Sequence, residues 1–230
     1  MSNAKPKRSL VELLALVPYL AELDSSASAL VATSMIQLRY ETNEMIFVEG
    51  EPCDGLYVIQ SGWVKAVKSS LDGREQVLDF VGPGEAFNTY GVFASDTNPA
   101  SAIALEPTDL FLIPRDTLLR LLETHPALAR MVIQDLARRV QHLLALVEDL
   151  SLRTVESRLA RYLLQTASGD ILWRQRWATQ AEIAARLGTV PDVLNRAFRD
   201  LAEDGLIVMD RQRIVILDRE ALEGRAGLEP

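Results

Sequence analysis

The apolar residues of this chain recur with different spacings, and each change of spacing marks a boundary. Leu10, Leu13, Leu14, Val17 and Leu20 share one helical stripe, and a second short helix is predicted over 25–33. From Met35 to about Pro114 the helical period disappears. Short β-branched or aromatic runs replace it, at 46–48, 56–59, 64–67, 76–81, 102–105 and 110–113. Glycines at 50, 55, 62, 73, 82, 84 and 91 separate them. Many short strands with regular turn signals predict a barrel or roll. The Asp72-Gly73 pair within 69–74 predicts a tight hairpin.

Beyond 115 the helical period returns. Pro126 suits the first position of a helix, because it has no amide proton to leave unpaired. Read in heptads, Ile133, Val140 and Val147 fall at a, and Ala129, Leu136, Leu143 and Leu150 at d. β-branched residues at a with leucine at d favour two parallel helices. Val132, Leu144 and Leu146 lie off that seam and predict a second buried face. The expectation is a helix held between its own roll and a second copy of the chain. Ile133, Leu136, Val140, Leu143, Val147 and Leu150 would form the interface.

The segment 179–206 reads as two amphipathic helices joined by a short turn. Ala181, Ile183, Ala184 and Leu187 make the apolar face of the first, and Gly188 supplies a left-handed stop. Thr189 is expected to cap the second helix, Pro191 to open it and Asp192 to complement its dipole. Val190, Leu194, Phe198 and Leu201 repeat at helical spacing, which turns Asn195, Arg196 and Arg199 outward. The runs 206–209 and 214–217 flank Asp210–Arg213 and predict a hairpin with a charged tip. A helix-turn-helix followed by such a hairpin is a winged helix, whose second helix enters the major groove of DNA. Arg211 and Arg213 would then meet phosphate, and Thr179 and Gln180 stand at a helix start suited to the same partner.

Charge sharpens this picture. The 230 residues carry a net charge of −8, yet 1–150 account for all of it, while 151–230 balance 12 arginines against 12 acidic residues. A neutral domain binds DNA only if its arginines are sorted onto one surface. No apolar run reaches the roughly 18 residues of a membrane helix. The stretch 10–17 lacks a small-residue cleavage site, so the expected compartment is the cytoplasm. A single cysteine, Cys53, excludes an internal disulfide and a four-thiolate iron–sulfur cluster within one chain. No histidine occurs between 35 and 114, and neither a nucleophile elbow nor a phosphate loop is present. These absences argue against an enzyme and against a metal site in the roll.

The order of roll, long helix and winged helix resembles the CRP/FNR family of bacterial transcription regulators. The segments Thr179–Ile183, Gly188–Arg196 and Leu201–Ile207 carry the resemblance most specifically, supported by Gly50–Ile59, Ser61-Gly62 and Gly82–Glu85. It implies an α+β fold with three parts. A β-roll (a double-stranded β-helix like that of cyclic-nucleotide-binding domains) with flanking helices spans 10–125. A dimerisation helix spans 126–150, and a winged helix-turn-helix spans 151–230. It also implies a homodimer on palindromic double-stranded DNA, RNA polymerase as a partner, and a small effector in the roll. The family's recognition helix often opens with an Arg-Glu pair. Here Pro191-Asp192 stands in its place, while Arg196 matches the arginine that follows.

Members that bind cyclic AMP hold its ribose with a Gly-Glu pair and its phosphate with an Arg-Ser pair. Gly84-Glu85 matches the first, but the counterpart of the second lies near Asn98–Ser101 without an arginine. No Lys or Arg occurs between Arg74 and Arg115, which argues against a buried cyclic phosphate. Lys65 and Lys68 read as solvated, and Arg158 and Arg161 as the polar side of a helix over 155–167. Gly84, Glu85, Phe87, Tyr90 and Ser101 are the candidate effector pocket. Haem would need axial ligands from Cys53, His125 or His142, and His142 falls at a solvated c position. A haem, gas or cyclic-nucleotide sensor, and an interaction module that has lost DNA, stand as alternatives.

Overall fold

The computed structural model describes residues 12, 14–21 and 23–227, so Leu10 and Leu13 of the first stripe lie outside the described residues. Two compact units result. One is drawn from the chain up to Lys68 and from Leu78–His142, the other from Ser69–Val77 and from Leu143 onward.

The first unit opens with α1 (Pro18–Ala21) and α2 (Ser25–Ser34). Strands β1 (Ile36–Tyr40), β2 (Met45–Phe47), β3 (Gly55–Ser61), β4 (Val64–Ser69), β5 (Glu75–Val81) and β6 (Ala86–Phe87) follow. Then come α3 (Thr89–Phe93), β7 (Ser101–Ala104), β8 (Thr108–Pro114) and α4 (Arg115–Thr124). The strands form two four-stranded sheets, ordered β1-β8-β3-β6 and β2-β7-β4-β5. Apart from the β4–β5 pair, the chain changes sheet at each successive strand, which is the topology of a roll.

Strand β3 shows why Leu56–Ile59 is a continuous apolar run. Tyr57 and Ile59 point between the sheets, beside Val64, Val81, Phe87, Ala102, Ala104 and Leu110. Leu56 and Val58 point the other way, onto Ala27 and Val31 of α2, Leu118 and Leu121 of α4, and Leu128 and Val132 of the next helix. A strand buried on both faces cannot alternate. Gly55 lets β8 pass close by, since a Cβ there would stand 2.0 Å from the Ile113 carbonyl oxygen.

Helix α5 (Pro126–Leu152) runs through 27 residues. Leu128 and Val132 are buried and Leu136 is partly covered by the same core. Ile133, Val140, Leu144 and Val147 are 55–66 % exposed on the single chain, and Leu143 is 44 % exposed. Leu144 was expected on the inner face; its exposure adds it to the open stripe. Lys65, expected in solvent, is instead 7 % exposed, in register with Ile103 of β7. Lys68 lies near the surface, 2.5 Å from Glu49.

The second unit contains α6 (Val155–Thr166), β9 (Ile171–Trp173), α7 (Gln180–Arg186), α8 (Pro191–Glu203), β10 (Ile207–Met209), β11 (Arg213–Ile216) and α9 (Arg219–Ala226). Leu159 and Leu163 of α6, Ile183 of α7, Leu194, Phe198 and Leu201 of α8, Ile214 and Ile216 of β11 and Leu222 of α9 share one core. β10 and β11 pair antiparallel, with Ile207 opposite Ile216 and Met209 opposite Ile214. β9 adds a third strand against β11. Strands β1, β6 and β9 and helix α9 were not foreseen. They are short or lie at edges, and carry little uninterrupted apolar pattern. Arg158 was expected on the polar side of α6 but is 9 % exposed, and burial pushes its guanidinium below the usual arginine range.

Candidate nucleic-acid interface

The turn between α7 and α8 is built by exclusion. Thr179 caps α7 by accepting the Glu182 amide at 3.2 Å. The helix stops at Leu187, and Gly188 takes φ +60°, where a side chain would be strained. A Cβ on Gly188 would also meet Leu150 Cδ2 at 2.4 Å. The N-cap of α8 is Val190, not Thr189, and no side chain bonds the first amides. Val190 therefore precedes the helix and is 56 % exposed rather than part of its core face. Ala197 joins Leu194, Phe198 and Leu201 instead, and Ala181 of α7 lies exposed. Pro191 opens α8 and Asp192 stands in its first turn. On the outer side Arg196 and Arg199 are exposed and Asn195 is half-buried.

The neutral charge balance is resolved by pairing. Arg153 and Arg161 place their Nε atoms 3.0 and 3.2 Å from Asp149 Oδ1, across the junction of α5 and α6. Arg153 also donates to the Ala226 carbonyl oxygen at 2.9 Å. Arg219 meets Asp170 at 3.1 Å, and Arg225 bridges Glu156 and Asp204. Arg176, Arg196, Arg199 and Arg211 make no side-chain hydrogen bond or ion pair among the described residues. Two of these lie on α8, one at the wing tip and one before α7. Cations left unpaired in the folded chain are the ones able to meet phosphate or base edges. Asp192, Asp200 and Glu203 are exposed on the same helix, the last two toward its C-terminal end.

The wing tip is tied by Asp210, whose Oδ1 accepts the amides of Gln212 at 2.7 Å and Arg213 at 2.9 Å. Those bonds hold its carboxyl below the usual carboxylate range. Arg213 Nε also meets Asp210 Oδ2 at 3.2 Å, and its guanidinium lies 5.8 Å from the Trp173 ring centre. Arg213 is thus held, while Arg211 is not. Sequence reading missed Arg174 and Arg176, because β9 and the connector after it carry no periodic signal.

In the first unit a cavity of about 280 Å³ is lined by Leu16, Val17, Phe80, Val81, Gly84 and Ala86, with Asp79, Glu85, Asp135 and Arg139 as its charged groups. Gly84 and Glu85 of the expected pocket lie on it; Phe87, Tyr90 and Ser101 do not. Phe87 stacks on Tyr57, with ring centres 5.2 Å apart, inside the roll. Tyr90 is 51 % exposed, and Ser101 accepts the Glu49 amide at 3.0 Å. Arg139 is held by Asp135 Oδ2 and the Ala86 carbonyl oxygen, both at 2.9 Å. Three carboxylates then face one committed guanidinium. Around Asn98–Ser101 the side-chain amides also have partners. Asn88 Nδ2 donates to Asn98 Oδ1 at 2.9 Å, and Asn98 Nδ2 to the carbonyl oxygens of Val48 and Pro52 at 3.3 Å. This donor set does not fit a cyclic phosphate.

Cys53 is buried, and burial raises its thiol above the usual range. His142 is exposed, and His125 Nε2 lies 3.4 Å from Asp24. Among the described residues no three His, Cys, Asp or Glu converge as a metal site, and no helix is long and apolar enough to cross a membrane.

Residues 37–125 match the model of a cyclic nucleotide-binding domain, and 157–225 that of a Crp-like helix-turn-helix domain. The chain is 30 % identical over 221 residues to a CRP-like cAMP-activated global transcriptional regulator of Mycobacterium tuberculosis, covering 94 % of this chain and 99 % of the other. It is 30 % identical to the cyclic AMP receptor protein of Thermus thermophilus, over 84 % of this chain and 89 % of that one. FixK2 from Bradyrhizobium japonicum superposes with a TM-score of 0.75 at 24 % identity, over 83 % of this chain and 96 % of that structure, which speaks to the fold. With a roll, a long helix and a winged helix in that order, and relatives that are transcription regulators rather than enzymes, this chain belongs to the CRP/FNR family of DNA-binding transcription regulators.

Proposed function

We propose that two copies join along the open stripe of α5 as a parallel dimer and present their α8 helices to successive major-groove turns of a palindromic duplex. The observation that carries this is the unpaired, exposed state of Arg196 and Arg199 in a unit whose other arginines are mostly committed. Arg196 has the donor fork to bond guanine O6 and N7 together, and Asp192 the acceptors for cytosine N4. Asn195, Gln180 and Pro191 flank that contact, Thr189 lines the turn, and Arg211 reaches phosphate from the wing. Thr179 acts through its cap. Ile133, Val140, Leu143, Leu144 and Val147 meet their counterparts, with Leu136 and Leu150 at the edge of the seam. Bound at a promoter in the cytoplasm, the dimer would meet RNA polymerase.

A small effector that is neutral or cationic, not cyclic AMP, suits the acidic cavity beside α5, where Asp135 and Arg139 would register it. Selection of bound duplexes from random sequence tests the DNA reading. Two inverted half-sites about 34 Å apart are expected; recovery of single half-sites, or of no sequence at all, overturns it.

A further inference from the structure

The connector between β9 and α7 has no part in the contacts above. Arg174-Gln175-Arg176 leads out of β9 to Trp177, which is buried. Its start is fixed to the wing: the Arg174 amide donates to the Gln212 carbonyl oxygen at 2.8 Å, and Arg174 Nη1 reaches the Asp210 carbonyl oxygen at 3.5 Å. Its end holds the buried Trp177 and is tied to α7 by the Thr179 cap. Between these anchors Arg174 and Arg176 are exposed, and neither guanidinium has an acidic partner among the described residues. Arg213, by contrast, shares its charge with Asp210 and lies over Trp173.

We propose that this connector is a second, sequence-independent arm on the DNA backbone. Arg176, assisted by Arg174, holds phosphate between the wing and the start of α7, whereas Arg213 shapes the wing tip and adds little charge. The placement follows from topology, since the connector leaves β9, the strand paired with wing strand β11, and enters α7, the first helix of the helix-turn-helix. The chemistry follows from the guanidinium fork, which suits phosphate oxygens. This inference rests on the DNA-binding reading.

The test is the salt dependence of full-length protein binding to a fluorescein-labelled duplex of random sequence, followed by anisotropy. Each lost phosphate contact flattens the log K against log salt plot by about 0.9. Arg176→Ala should flatten it by about that much per chain bound, and Arg176→Lys should restore it, because the charge remains. Arg213→Ala should stay near the unaltered slope. Preference for the selected duplex over the random one should survive Arg176→Ala. An unchanged slope in Arg176→Ala, or equal loss in Arg176→Lys, overturns the arm alone. Failure of the unaltered chain to bind any duplex at low salt overturns the DNA reading, and this inference with it.

Discussion

The two units leave different sets of cations open. In the first, several cations are engaged, Arg139 by Asp135 and Ala86, Arg115 by the carbonyl oxygens of Val92 and Ser95, Lys68 by Glu49, while Arg120 on α4 and Arg130 on α5 stay open on separate helices. In the second, Arg161 of α6 and Arg219 and Arg225 of α9 pair with carboxylates, as Arg213 of the wing does, and Arg196 and Arg199 on α8, Arg211 at the wing tip and Arg176 on the connector stay open. The difference teaches that net charge is a poor guide to an anionic partner. What matters is which cations the fold leaves without a carboxylate, because a paired guanidinium must break one contact to make another.

Four experiments bear on this contrast. The largest effect is expected from Val140→Glu, which places a charge on the open stripe of α5. It should convert a dimer to a monomer by light scattering and weaken binding to a duplex with two half-sites by about a hundredfold or more. An unchanged mass would show that the stripe faces something else. Next, Arg196→Ala should cost about 1–3 kcal/mol of discrimination between the selected duplex and a scrambled one; equal discrimination would remove Arg196 from the readout.

A smaller effect concerns acid. Asp210 is held below the ordinary carboxylate value of about 3.9. Its support of the wing turn is therefore complete above that value and is lost as pH falls through the lower folded value. Amide exchange at Gln212 and Arg213 should show steady protection from pH 7 to 5; loss of protection within that window would contradict the assigned bonds. The last expected effect is none at all: cyclic AMP should leave the melting temperature unmoved. A ligand at a hundred times its Kd would stabilise by about 2.7 kcal/mol, so a clear rise would mean that the roll does accept an anion.

Much of this molecule was legible in the order of its residues. The Leu56–Ile59 run, the Pro126 start and the Gly188 stop each announce their element through local constraints: burial on both faces, a missing amide proton, a left-handed backbone. The helix-turn-helix and the wing were readable for the same reason, since period and turn chemistry act within a few residues. Lys65 and Arg158 were misread because burial depends on what packs above a side chain, and their neighbours in sequence do not reveal it. Phe87 likewise lies off the cavity that Gly84 and Glu85 line, in an aromatic stack with Phe47 and Tyr57 from two other strands.

Local rules thus sufficed for most of the elements, their order and the family they make. Long-range packing settled the rest. Which arginine finds a carboxylate, which cap is used and which side chains line a cavity depend on residues brought together from distant positions. The pair Arg153 and Ala226, or Arg139 and Ala86, meets across more than fifty positions. Short-range propensity carries no term for such meetings, and the chemistry of the site is made of them.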